Sequence, residues 1–110
     1  AMTCARDPLS ADAVQLRIAL AQSTDKLDLS DCGLEVVPPE VCKLTNLVEL
    51  SLSGNEMKRL PEGFGGLTSL RELVLAGNQL TSLPKDIGRL ERLEGLFVHG
   101  NRLESLPQSL

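Results

Sequence analysis

Apolar side chains fall at fixed steps along this chain, and the steps recur. Leu27, Leu50, Leu73 and Leu96 lie 23 residues apart, and so do Leu29, Leu52, Leu75 and Val98. Leu60-Pro61, Leu83-Pro84 and Leu106-Pro107 keep the same frame, with Val37-Pro38 as the first member of the series. Asn55, Asn78 and Asn101 form a third column, in which Cys32 takes the first place. A period of this length marks an array of units, each burying its apolar face only by stacking on its neighbours.

Within a unit the pattern changes its step. Leu50-Ser51-Leu52-Ser53 alternates, which predicts a short strand with its leucines inward. Gly54, Gly77 and Gly100, each followed by Asn, mark the turn out of the strand. The return half carries apolar residues three apart: Val41, Leu44, Leu47; Phe64, Leu67, Leu70; Ile87, Leu90, Leu93. That spacing predicts a tight helical or 3₁₀ turn on the outer side. The units run 27–49, 50–72, 73–95 and an incomplete 96–110.

Residues 1–9 read as a leader and 10–26 as a capping helix with the entry to the first strand. Ser10 is placed to cap the helix and Asp12 to meet its dipole. Ala13, Leu16 and Leu20 lie on one stripe, with Val14, Ile18 and Ala21 beside it. Such a helix would shield the exposed end of the first unit. At the other end, unit four stops at Leu110 with no polar closing unit, leaving a leucine layer and a strand edge open. A longer array is expected there; self-association of two copies through this end is the alternative.

The frame L-x-x-L-x-L-x-x-N-x-L-x-x-L-P reads Leu47, Leu50, Leu52, Asn55, Met57, Leu60, Pro61 in unit two. In unit three it reads Leu70, Leu73, Leu75, Asn78, Leu80, Leu83, Pro84. Over residues 24–110 this resembles the leucine-rich repeat family. The 23-residue length with Leu-Pro is similar to the intracellular Ras-signalling-scaffold type and to bacterial repeats. Thr24 and Cys32 depart from the frame, as befits a first unit beside a cap. The resemblance implies an α/β solenoid, a right-handed coil with a parallel sheet on its concave side and short turns on the convex side. It also points to the concave face as the surface that meets a protein partner.

Outward strand positions line that face. One column reads Asp28, Ser51, Val74, Phe97, the next Ser30, Ser53, Ala76, His99, and the one before the strand Lys26, Glu49, Glu72, Gly95. The first half is acidic and polar, the second apolar. An exposed Phe97 is the type of anchor that interfaces use. The expected partner-binding set is therefore Asp28, Glu49, Ser51, Ser53, Glu72, Val74, Ala76, Phe97 and His99. Packing of Phe97 on Val74, as mere cover for the sheet, is the plainer reading.

Composition narrows the function classes. A net charge of −4 argues against nucleic acid, which needs a clustered positive footprint. No apolar run approaches a membrane span, and no signal-peptide pattern is visible. Cys4, Cys32 and Cys42 cannot all pair, so a reducing, cytoplasmic setting is the simplest expectation, with Cys32 a small buried residue.

Candidate chemistry is sparse. His99, Ser53 and Asp28 invite a catalytic reading, but two rungs separate His99 from Ser53, about 9–10 Å. A base must lie about 3 Å from its nucleophile. Cys32 and Cys42 fall at different phases of the unit and form no C-x-x-C pair. Asp28-x-Ser30-Asp31 lacks the full oxygen set of a calcium loop. Gly65-Gly66 lacks the Lys-Ser/Thr of a phosphate loop, so tight packing or turn geometry explains it. Lys85, Arg89 and Arg92, interleaved with Asp86 and Glu91, read as a solvated mixed-charge face. No catalytic, cofactor or metal residue is expected. The expected function is a non-catalytic protein-interaction scaffold. The alternatives are a targeting or regulatory segment of a larger signalling enzyme (a kinase, a GTPase-linked protein or a ubiquitin ligase) and a bacterial effector repeat.

Overall fold

The computed structural model describes residues 18–20, 24–61 and 63–104. Four strands, β1 (Lys26–Asp28), β2 (Glu49–Ser51), β3 (Glu72–Val74) and β4 (Gly95–Phe97), form one parallel sheet in chain order. The register is that of the sequence columns: Leu27, Leu50, Leu73 and Leu96 face one another, as do Asp28, Ser51, Val74 and Phe97. A slip by one residue would turn every leucine outward, so the alternation itself fixes the register.

β2, β3 and β4 leave through a left-handed glycine, and β1 through Asp31, which takes the same region at φ 55°. Gly54, Gly77 and Gly100 have φ of 70°, 72° and 72°, a region open to glycine at no steric cost. The chain then returns through 3₁₀ turns at Pro39–Lys43, Phe64–Gly66 and Lys85–Arg89. Two of them begin at or after a Leu-Pro or Val-Pro pair, where the missing proline N–H would find no partner anyway. Val41, Phe64 and Ile87 each send one buried side chain inward from these turns, and Phe64 is fully buried.

The core is a continuous ladder of such layers, running from Ile18 to Leu90. In the last layer the corresponding residues, Leu93 at the end of unit three and Leu96, Val98 and Leu103 of unit four, are only partly covered. Among the described residues β4 pairs on one side only. Residues 18–20 are helical; Ile18 is buried, and Leu20, expected on the inward stripe, is exposed. The leader and most of the 10–26 cap lie outside the described residues.

The asparagine column forms a hydrogen-bond ladder. Asn55 Nδ2 donates to the Leu29 and Leu52 carbonyls, and its Oδ1 accepts from the Cys32 and Leu34 amides. Asn78 spans units two and three in the same way, and Asn101 units three and four. Each side chain thus pairs backbone groups that the turn leaves without a strand partner.

Two expectations need correction. Cys32 is buried as expected, but it is disulfide-bonded, to a partner outside the described residues. Asp86 is not part of a solvated charged face. Its Oδ2 accepts from the amides of Gly63 and Gly65, at 3.1 and 3.2 Å, and so ties the third outer turn to the second.

Candidate functional site: the concave sheet face

Parallel pairing brings the outward residues of four units into one shallow surface. Val74 lies directly beside Phe97, and Ser51 beside Val74. Phe97 is 44% exposed, the largest apolar exposure on this face. Its ring does not stand free. A Cβ on Gly95 would lie 2.9 Å from Phe97 Cε2 and 3.3 Å from Cζ, so the ring rests over the bare Gly95 backbone. The same point lies 3.7 Å from Glu72 Cγ, so the Glu72 stem also approaches the bare Gly95 backbone. The column Lys26, Glu49, Glu72 ends in a glycine two residues before the phenylalanine, a signal that the sequence reading passed over.

The acidic half is braced internally. Lys26 Nζ stands 3.7 Å from Glu49 Oε2, an exposed pair worth little to stability but enough to orient both chains. Asp28 Oδ1 accepts from the Ser30 amide and hydroxyl, at 2.9 and 2.6 Å. The Ser51 and Ser53 hydroxyls share a hydrogen bond of 3.4 Å. Lys26, Asp28, Glu49, Ser51, Glu72 and Val74 together line a shallow hollow of about 420 Å³.

Of the nine expected residues, Phe97, Glu72 and His99 are exposed, and Asp28, Glu49, Ser51, Ser53 and Val74 half-buried. Ala76 is buried, leaving little surface for a partner. His99 and Ser53 are not brought together. The Gly54 amide bonds to the Ala76 carbonyl and the Gly77 amide to that of His99, so a full rung intervenes.

No group of three or more metal-ligating side chains is assembled among the described residues. Nor is any helix among them long and apolar enough to cross a membrane. Burial pushes the Cys42 thiol above its ordinary value, and the negative charge of Asp86 pushes it further. The neutral thiol is then favoured in the fold, a contribution present below the unfolded value of about 8.5 and lost as pH rises through the folded one. Iodoacetamide at pH 8 should alkylate Cys42 several-fold more slowly in the folded chain than in urea. Equal rates would remove this reading.

The sequence model described as leucine rich repeat matches residues 22–80 and 61–103. A leucine-rich repeat protein of Leptospira interrogans is similar in structure at a TM-score of 0.72 and 36% identity, over 80% of this chain and 28% of that one. The leucine-rich repeat domain of the type III effector XopL is similar at a TM-score of 0.80 and 25% identity, over 90% of this chain and 34% of that one. The chain thus spans about a third or less of the length of either structure. No curated protein matches it significantly in sequence.

Proposed function

This chain belongs to the leucine-rich repeat family, and on that footing we propose that it is a protein-interaction module that meets its partner through the concave sheet. The observation that carries the reading is the Val74–Phe97 rung. A half-exposed aromatic seated on Gly95, with an aliphatic neighbour and a braced acidic border, is the anatomy of an interface anchor with a polar rim. The ring rests on the Gly95 backbone, so docking costs it little side-chain entropy. Glu72 stands on the neighbouring strand, which favours a partner with a basic residue next to an apolar one.

Val74→Glu combined with Phe97→Asp tests this. Both sites face outward, so circular dichroism should show the fold intact. A partner captured from lysate by the parent chain should bind the double variant at least about tenfold more weakly, the loss expected for a hot-spot pair. Undiminished binding by the folded variant would move the site off this face.

A bacterial effector repeat is the second reading, favoured by two bacterial likenesses, one of them an effector domain. In either reading the chain supplies recognition, and chemistry belongs to whatever it is joined to or binds.

A further inference from the structure

The flank of the coil, where the chain leaves the strands and climbs toward the outer turns, carries a second feature that the concave reading does not use. Unit two contributes Lys58 and Arg59, unit four Arg102, and unit three the uncharged Gln79, Thr81 and Ser82 between them. Together they line a cleft of about 480 Å³. Lys58, Arg59, Thr81, Ser82 and Arg102 are exposed. No ion pair among the described residues engages any of the three cations. Among the described residues no acidic side chain lines the cleft, although the whole chain carries a net charge of −4.

Successive rungs lie about 5 Å apart, so the cationic walls stand about 10 Å apart across a small, polar floor. That width suits one extended strand of peptide, whose own side chains advance about 3.3 Å per residue. Toward the first unit the cleft continues into a hollow of about 420 Å³, where Val36, Pro61 and Pro84 are joined by Arg59 and Ser82. Val36 is 66% exposed, more than any other large apolar residue described. The groove therefore has a cationic end and an apolar end that share two residues. Glu35 and Glu56 share the adjoining hollow with Lys58, Arg59 and Gln79, and the Glu104 amide bonds to the Thr81 carbonyl, so the described lining is free of carboxylates only within the cleft itself.

We propose that this flank groove is a second recognition site, which takes an extended acidic segment of a protein partner. Its carboxylates sit between Lys58, Arg59 and Arg102, and an aliphatic side chain rests against Val36 and Pro61. Arginine offers each carboxylate two parallel N–H donors, and Gln79, Thr81 and Ser82 supply further donors from the floor. The site is separate from the concave face, and its test is independent of that reading.

The test is an amide-shift titration of the whole chain by NMR with a blocked octapeptide containing three glutamates and one leucine. Its glutamine counterpart and a short oligothymidylate serve as controls. The glutamate peptide should give saturable shifts at residues 58–59, 79–82 and 102, and the glutamine peptide none. Lys58→Gln with Arg102→Gln should weaken binding roughly tenfold, whereas Val74→Glu with Phe97→Asp should leave it unchanged. Raising salt from about 50 to 300 mM should weaken the parent chain's binding by a similar factor, a readout that needs no variant. Shifts confined to the concave face, equal binding of the glutamine peptide, no saturation, or tighter binding of the oligothymidylate at these residues would each overturn the proposal.

Discussion

Asn78→Leu should lower the unfolding free energy by about 3 kcal/mol, although leucine is the residue this core uses most. The amide of Asn78 donates to the Leu52 and Leu75 carbonyls at 2.9 and 3.0 Å and accepts from the Met57 amide at 3.2 Å. The side chain is 6% exposed, so water cannot replace these bonds without opening the stack. Leucine would bury apolar area but orphan three backbone groups, each at a cost of about 1 kcal/mol or more. In a domain of marginal stability that is a large share of the total. Asn101→Leu makes the internal control. Asn101 bonds in the same pattern but is only part-buried, so water can reach its partners and the loss should be about half as large. Trp and Tyr are absent, so the measurement is urea unfolding followed by far-ultraviolet circular dichroism. Equal midpoints for the parent and Asn78→Leu would end the claim that the ladder holds the coil together.

The ladder belongs to the part of the molecule that was legible in the sequence, and the reason is physical. In a stacked array each layer meets its neighbour in the same way, so a column of residues 23 apart is also a column in space. Leu27 to Leu96, Asn55 to Asn101 and the outer turns at Pro39–Lys43 and Lys85–Arg89 all follow from that one rule. What escaped the sequence is what crosses between columns. Phe97 leans back over Gly95, two positions earlier in its own strand. The Asp86 carboxylate leaves its turn to cap the one below. Ala76 sits in an outward column yet is buried, because a methyl group is too short to emerge beside its neighbours. The flank groove joins residues from three columns, Gln79 with Arg102, Lys58 with Thr81, and Arg59 with Ser82. None of these columns is charged throughout, so none stands out when read singly. Periodicity fixes where backbones lie, and rotamers decide what the surface offers.

The sharpest consequence of such a crossing is at the adjacent glycines of the second outer turn. Gly65→Ala should destabilise the fold by about 2–3 kcal/mol, whereas Gly66→Ala should be neutral or stabilise it by up to about 1 kcal/mol. A Cβ at position 65 would lie 2.4 Å from the Asp86 carbonyl oxygen and 2.9 Å from Asp86 Cβ. The first of these is backbone, so no rotamer change relieves it; the third turn must move away from the second. That movement would also stretch the bonds from the Gly63 and Gly65 amides to Asp86 Oδ2, leaving two more groups poorly paired. At position 66 an added Cβ meets nothing within 4 Å, and the backbone there is not left-handed. Alanine at 66 therefore acts only on the unfolded chain, by narrowing its freedom. Because the clash at 65 is with main chain, Asp86→Ala should not rescue Gly65→Ala and should add its own loss of the two amide bonds. Rescue by Asp86→Ala, or equal effects of alanine at 65 and 66 on the urea midpoint, would show that the outer turns do not pack as closely as these distances require.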